Sequence, residues 1–204
     1  MCRVDDDDDI DDDRPSTSTQ DEQVLLSSQL NEALIEAVCE GSILKVQSLL
    51  DQHADMHTRT WLRRETLLHL ASKYGHRRCV ELLLDRHADI NARDRYSESP
   101  LHYASMSGRH QCIEVLLDRR ADINACCWYS FAPIHFASRN GHHQCIELLL
   151  DRHADFNALT IDNNTPLHVA SSNGHRHCVE LLIDNGAEKS IINVRLVLQC
   201  RCET

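Results

Sequence analysis

The sequence lacks a long hydrophobic run. No window approaches the stretch of about 18 apolar residues that a membrane-spanning helix needs, so we expect no membrane association. The N-terminal residues 1–4 are followed by aspartates and contain no apolar segment typical of a secretory signal. We therefore expect a protein of the cytoplasm, the nucleus or both, whose ten cysteines are reduced thiols.

The sequence also lacks an excess of positive charge. It has 21 Lys and Arg against 32 Asp and Glu, which gives a net charge of −11. Residues 1–23 alone carry a net charge of −8, which leaves −3 for the rest of the chain. Nucleic-acid-binding proteins usually present a basic face to the phosphates. We therefore expect no nucleic-acid partner.

A short signature ending in histidine recurs every 33 residues. Glycine and cysteine keep the same interval further along each copy. A more diverged copy precedes these four with an offset of 34, which predicts one additional residue in the loop around residues 58–65. The repeated positions are Thr66–His69, Ser99–His102, Ala132–His135 and Thr165–His168, then Gly75, Gly108, Gly141 and Gly174, then Cys79, Cys112, Cys145 and Cys178.

Each copy has the pattern of two short helices. A Ser or Thr before proline is typical of an N-cap followed by the first helical residue, and the glycine supplies a turn with positive φ. The second helix, for example residues 76–85, has apolar residues over a wide arc. A helix buried over so wide an arc is expected when neighbouring repeats pack against both of its sides.

The chain resembles ankyrin-repeat proteins, which share the period of 33 residues and the T-P-L-H-x-A motif. The resemblance implies an all-α solenoid of paired antiparallel helices with projecting β-hairpin loops, here called fingers. It places a repeat domain at residues 29–198, between a disordered acidic tail at 1–28 and a C-terminal tail at 199–204. The repeats lie at about 30–62, 65–97, 98–130, 131–163 and 164–193.

Two glycine positions of the family are occupied by other residues. We expect left-handed backbone at these positions, which costs a non-glycine residue roughly 1–2 kcal/mol. After the C-terminal copy, the apolar segment 191–198 is expected to cover the exposed side of the fifth repeat. The substituted positions are His53, His87, Arg120 and His153 after the second helices, and Arg64, Ser97, Ser130 and Asn163 at the finger tips.

The repeated histidines and cysteines have a structural explanation. The resemblance implies that the signature histidines form hydrogen bonds between loops and neighbouring repeats, and buried cysteine behaves as a small hydrophobic residue. No Cys-x2-Cys pair matches the usual zinc spacing. We therefore expect no catalytic residue, no metal and no cofactor, and a thiol- or histidine-based metal-binding protein remains a remote alternative.

Only nine aromatic residues are present, and six of them lie at positions where the family contacts its targets. Tyr, Trp and Arg are enriched at binding hot spots. The alternative is that the finger aromatics pack against one another for stability. The predicted partner-binding residues are Trp61, Arg63, Tyr74, Arg95, Tyr96, Met106, Trp128, Tyr129, Phe131 and Arg139.

The resemblance implies a non-enzymatic scaffold that binds a partner protein on the concave face formed by the fingers and first helices. We expect a monomer, and the identity of the partner protein is open. The alternatives are a substrate-recognition adaptor of a ubiquitin ligase and a regulator of transcription or signalling. Fold alone does not select among them.

Two kinds of modification are also suggested by the sequence. Asn91, Asn124 and Asn157 share the spacing Leu-x5-Asp-apolar-Asn, which is similar to the sequence that an asparaginyl hydroxylase favours in ankyrin domains. The alternative is that these asparagines only stabilise a turn. Ser18 and Thr19 precede acidic residues as in sites of acidophilic kinases, whereas the tail could equally be a solubilising extension without regulation.

Overall fold

The computed structural model describes the backbone of residues 19–187 and the side chains of residues 23–187. Within these residues the chain forms ten α-helices in five consecutive pairs and one turn of 3-10 helix, Trp128–Ser130, but no β-strand. The α-helices are α1 (Thr19–Glu40), α2 (Ile43–Asp51), α3 (Leu67–Tyr74), α4 (Arg77–Asp85), α5 (Pro100–Met106), α6 (His110–Asp118), α7 (Pro133–Arg139), α8 (His143–Asp151), α9 (Pro166–Ser172) and α10 (Arg176–Asp184).

The helices form two rows. The first helices of the repeats, α1, α3, α5, α7 and α9, contact one another in chain order, and the second helices do the same. Each first helix also packs against the second helix of its own repeat. Because one pairwise contact is repeated along the chain, the structure confirms the predicted all-α solenoid.

The first helices begin as the signature predicts. Thr66 and Thr165 are N-cap residues whose side chains accept a hydrogen bond from the backbone N–H three positions later. Ala132 takes the equivalent place before α7 without a hydroxyl group. Proline, whose missing N–H costs nothing at a first helical position, begins three helices: Pro100, Pro133 and Pro166.

The second helices carry most of the repeated apolar core. In α4, Val80 and Leu83 are fully buried, and the equivalent residues of α6 and α8 are buried in the same way. The repeated cysteines lie beside them, are buried, and form no disulfide. Burial raises the pKa of these thiols, to about 12 for Cys145. They therefore act as small core residues, as predicted, and are Cys79, Cys112, Cys145 and Cys178.

The glycine positions that other residues occupy keep the left-handed backbone. The residues after the second helices have φ between 64° and 66°. The finger tips have φ between 57° and 60°. The expected strain is therefore present at all eight positions, which are His53, His87, Arg120, His153, Arg64, Ser97, Ser130 and Asn163.

Helix α1 begins at Thr19 rather than near residue 29, so residues 19–28, which we assigned to a disordered tail, are helical. The helix continues because this segment holds good helix formers and neither proline nor glycine. Its side chains from Gln23 to Gln29 are exposed. Residues 1–18, the predicted cap at 191–198 and the tail at 199–204 lie outside the described residues.

The fingers are tight turns joined side by side. Between residues 19 and 187 their only β-type pairing is an isolated bridge between Arg59 and Thr66. The first finger has four residues between the hydrogen-bonded Thr60 and Glu65, whereas the later fingers have three. The additional residue predicted from the offset of 34 therefore lies between Thr60 and Glu65. Adjacent fingers are linked by backbone hydrogen bonds, Arg95 N–H to Arg63 O, Trp128 N–H to Tyr96 O and Ile161 N–H to Tyr129 O, at 2.8, 3.1 and 3.0 Å.

Candidate functional site

Six of the ten predicted partner-binding residues line one open pocket. It lies between the first three fingers and α7 and has a volume of about 220 Å³. The sequence did not predict Glu98, Cys127 or Phe136 as site residues. The lining consists of Arg63, Tyr96, Glu98, Cys127, Trp128, Tyr129, Phe131, Phe136 and Arg139.

The fingers fix the aromatic wall of the pocket. The backbone N–H of Trp128 donates to Tyr96 O, which brings two neighbouring fingers together. The two rings then meet edge to face with their centroids 5.7 Å apart. Tyr129 follows in left-handed backbone with φ 65°, and its side chain is 69% exposed. This pair of fingers therefore presents rings to solvent on a fixed backbone.

Phenylalanine rings form the apolar part of the lining. Phe131, at the end of the third finger, lies 5.4 Å from Phe136 between ring centroids. Phe136 belongs to α7 and contacts the buried ring of His102 at 5.7 Å, edge to face. These contacts connect the pocket to the first-helix row and hold its lining in place.

A buried polar cluster lies behind the pocket. The Tyr103 hydroxyl oxygen is 3.0 Å from both Glu65 Oε1 and Asp94 Oδ2, and all three residues are buried. Thr60 donates its hydroxyl to Glu65 Oε2 at 3.0 Å, and Lys73 Nζ lies 3.8 Å from Glu65 Oε1. Burial is the main cause that raises the pKa of Tyr103, so the phenol stays a hydrogen-bond donor.

Arg63 joins this cluster to the aromatic wall. Its guanidinium carbon lies 5.1 Å from the centroid of the Tyr96 ring, and its Nη1 donates to the Tyr103 hydroxyl at 3.5 Å. The hydrogen bond to Tyr103 is the largest cause that raises the pKa of Arg63. Its cation is therefore already engaged with protein groups.

Glu98 is a polar lining residue with one carboxylate oxygen that lacks a hydrogen bond. Its Oε2 atom is buried and has no hydrogen-bond partner among the described residues. Burial, and then the neighbouring carboxylate of Asp94, raise its pKa to about 7, while Arg63 acts in the opposite direction. Glu98 occupies the same position in its repeat as Phe131, so the 33-residue register was a signal that could have identified it.

The other four predicted partner-binding residues lie outside the pocket. Trp61, at the tip of the first finger, is 90% exposed. Tyr74 stacks on His76 with ring centroids 6.2 Å apart. The carbonyl of Met106 accepts a hydrogen bond from His142, and Arg95 is exposed beside Tyr96. The structure therefore does not gather the ten residues into a single site.

The signature histidines have the predicted structural role. In His69, Nδ1 accepts the backbone N–H of Thr66, so Nε2 carries the proton and donates to the carbonyl of Glu98 at 3.0 Å. His102 does the same between Ser99 and Phe131. Burial lowers the pKa of His102 to about 4. The rings are neutral connectors between a helix start and the next finger.

The predicted hydroxylation sites are exposed asparagines between repeats. Asn91 Oδ1 accepts the backbone N–H of Asp122, and Asn124 Oδ1 accepts that of Asp155, both at 3.0 Å. Asn157 is exposed at the equivalent position. Ser18 lies outside the described residues, and Thr19 is the first residue of α1.

The described residues were also searched for metal-binding groups and for membrane-spanning helices. Over residues 19–187, no group of three or more His, Cys, Asp and Glu side chains is arranged to hold a metal ion. None of the helices in that range is both long and apolar enough to cross a bilayer. The expected lack of a metal or cofactor stays a prediction.

A comparison with protein families agrees with this geometry. A family model described as ankyrin repeats (3 copies) matches residues 34–126 and, in a second match, residues 129–193. Together the two matches cover well over half of the chain. They include all pocket residues named above except Cys127 and Trp128, which lie between the two matched ranges.

Proposed function

The chain belongs to the ankyrin-repeat family, whose members are in general protein–protein interaction modules, and from this premise we propose that it is a non-enzymatic scaffold. It binds a partner protein on the concave surface formed by the fingers and first helices. It acts as a monomer in the cytoplasm, the nucleus or both, without nucleic acid or cofactor.

The observation that carries the proposal is the exposed aromatic wall of the pocket. Trp128 is 53% exposed and Tyr129 is 69% exposed, although large aromatic side chains are usually well buried. Tyr and Trp supply large contact areas at interfaces and are enriched among hot spots. The finger contacts fix both backbones in advance, which lowers the cost of ordering on binding.

A capture experiment tests this surface. The variant Trp61→Ala/Tyr96→Ala/Trp128→Ala/Tyr129→Ala should lose the proteins that the unchanged chain captures from its native cells. Its circular-dichroism melt should change little, because three of the four side chains are more than half exposed. A matched control, Leu44→Ala, removes an exposed apolar side chain of the second helix α2, outside the proposed surface, and should retain these proteins. Equal capture by both variants would refute the proposed surface.

We also propose hydroxylation of at least one of Asn91, Asn124 and Asn157. Their exposure between repeats supports access by a modifying enzyme. Peptide mass spectrometry of the protein from its native cells should show the mass of one added oxygen atom on a peptide containing one of them. Unmodified peptides at all three positions would contradict this proposal.

A further inference from the structure

The pocket holds a carboxylate with one oxygen that the protein leaves without a donor. No hydrogen bond of the described residues reaches Oε2 of Glu98, and this atom is buried. A buried acceptor without a donor carries a desolvation cost. A cation that binds in the pocket next to this carboxylate would offset the cost through charge–charge attraction.

The surrounding rings suit a cation. Trp128, Tyr129 and Phe131 line the same pocket as Glu98, and the negative faces of aromatic rings attract ammonium and guanidinium groups. Tyr96 already has the guanidinium of Arg63 over its ring at 5.1 Å. The Tyr96 ring therefore already binds a cation of the protein, whereas the other three rings remain available to a cation of a ligand.

The net charge of the ionisable groups around Glu98 also favours a cation. Three acids, Glu65, Asp94 and Glu98, face two bases, Arg63 and Lys73, which leaves one negative charge when all are ionised. Arg139 lies on the exposed side of the lining and has no ion-pair partner among residues 23–187. It is the one feature that would favour an anion, and it is therefore tested directly.

We propose that this pocket receives a lysine side chain of the partner, with its ammonium group against the Glu98 carboxylate and its methylene groups between the aromatic rings. The inference rests on the proposed function, since it specifies the chemistry of the partner at that surface. Arginine offers related chemistry and forms a separate arm of the test.

The proposal has a pH signature. The groups that face Glu98 are Arg63 from the first finger, Glu65 and Asp94 from the buried cluster, Cys127 from the third finger and Arg139 from α7. Because the pKa of Glu98 is about 7, its ionised fraction rises from about one-tenth at pH 6 to about nine-tenths at pH 8. A cation binds the ionised form, so its affinity should rise about tenfold over this interval.

The probe is Nα-acetyl-lysine methylamide, titrated into the full chain while NMR follows the indole N–H signal of Trp128. Matched probes carry norleucine, glutamate or arginine in place of lysine. The lysine probe should bind more tightly than the norleucine and glutamate probes, and more tightly at pH 8 than at pH 6. Glu98→Gln should weaken its binding about tenfold or more and abolish the pH dependence. Arg139→Gln should strengthen its binding, because the substitution removes a positive charge from the pocket lining.

Equal binding of the norleucine probe would show an apolar occupant and overturn the proposal. Preference for the glutamate probe, lost in Arg139→Gln, would show an anion site and also overturn it, and tighter binding of the arginine probe would replace lysine by arginine. If the lysine probe fails while the four-aromatic variant still loses its partners, only this inference fails. If the lysine probe binds while that variant captures the same partners, the proposed docking surface fails instead.

Discussion

The ring of His175 lies against Gly141 so closely that a Cβ on the glycine would be 2.7 Å from Nδ1 of the histidine. His175 Nε2 donates to the carbonyl of Arg139 at 2.9 Å. Three other glycines that end first helices are covered in the same way by the repeat that follows, Gly41 by His76, Gly75 by Arg109 and Gly108 by His142. These glycines are therefore needed for contact between repeats as well as for the turn.

We predict that Gly141→Ala destabilises the protein more than Gly174→Ala. Both glycines have nearly the same φ, 75° and 73°, so both variants incur about 1 kcal/mol for left-handed alanine. At Gly174 no described atom lies within 4 Å of the added Cβ. Gly141→Ala also displaces His175, which adds the loss of a hydrogen bond, about 1 kcal/mol. Urea unfolding measures the difference, and equal free energies of unfolding would refute the role of the histidine.

Relief of backbone strain should stabilise the chain. His87 has φ 65°, its side chain is exposed, and the described residues form no side-chain hydrogen bond with it. His87→Gly should raise the free energy of unfolding by about 1 kcal/mol, because glycine adopts this conformation without steric cost. His87→Ala is the matched control and should give no gain. A stabilisation of similar size in both variants would show that the histidine side chain, and not the backbone, was the cause.

Acid should weaken the fold through its buried histidines. Burial lowers the pKa of His69, His102 and His135, and for His102 the value is about 4 against an ordinary value of 6.5. The unfolded chain therefore takes up protons first as the pH falls from 6.5 to 4, and stability is lost in that interval. Unfolding free energies measured over this range should fall less steeply in His102→Gln than in the unchanged chain. Identical slopes would contradict the assignment.

The contribution of Glu98 to stability should have the opposite pH dependence. Its pKa is raised from 4.5 to about 7 in the folded state, so its contribution favours folding less as the pH rises through that interval. Glu98→Gln should be more stable than the unchanged chain at pH 8, by roughly 1–2 kcal/mol after allowance for partial solvent screening. The difference should nearly disappear at about pH 4, below the ordinary pKa of 4.5, where Glu98 is mostly protonated in the folded and the unfolded chain. Thermal melts at the two pH values measure it, and a constant difference would contradict the prediction.

Local signals predicted most of the fold. A capping threonine, a proline or a glycine has one physical consequence for the backbone around it, and the copies that carry each residue repeat that consequence in register. The left-handed backbone of His87 could be predicted in the same way, because the family places glycine at that position. The start of α1 could not be predicted, because the segment from Gln23 to Gln29 is exposed and has no repeated counterpart.

The site was less predictable because it depends on three-dimensional packing. The sequence identified Tyr96, Trp128 and Phe131 from their position in the repeat. It did not show that Glu98 would lie among them without a donor, since the orientation of a carboxylate depends on neighbouring fingers. Trp61 and Trp128 looked alike in the repeat frame, yet Trp61 is 90% exposed and lies outside the pocket.

The hydrogen bonds between adjacent fingers affect how the solenoid responds to force. Adjacent fingers are joined by one backbone hydrogen bond, with a net contribution of about 1 kcal/mol, and by a few side-chain contacts, whereas the helix rows are joined by many buried apolar groups. A tensile load along the solenoid would therefore open the finger tips before it separated the helices. The contacts between finger tips would therefore be more compliant than the packed helix rows.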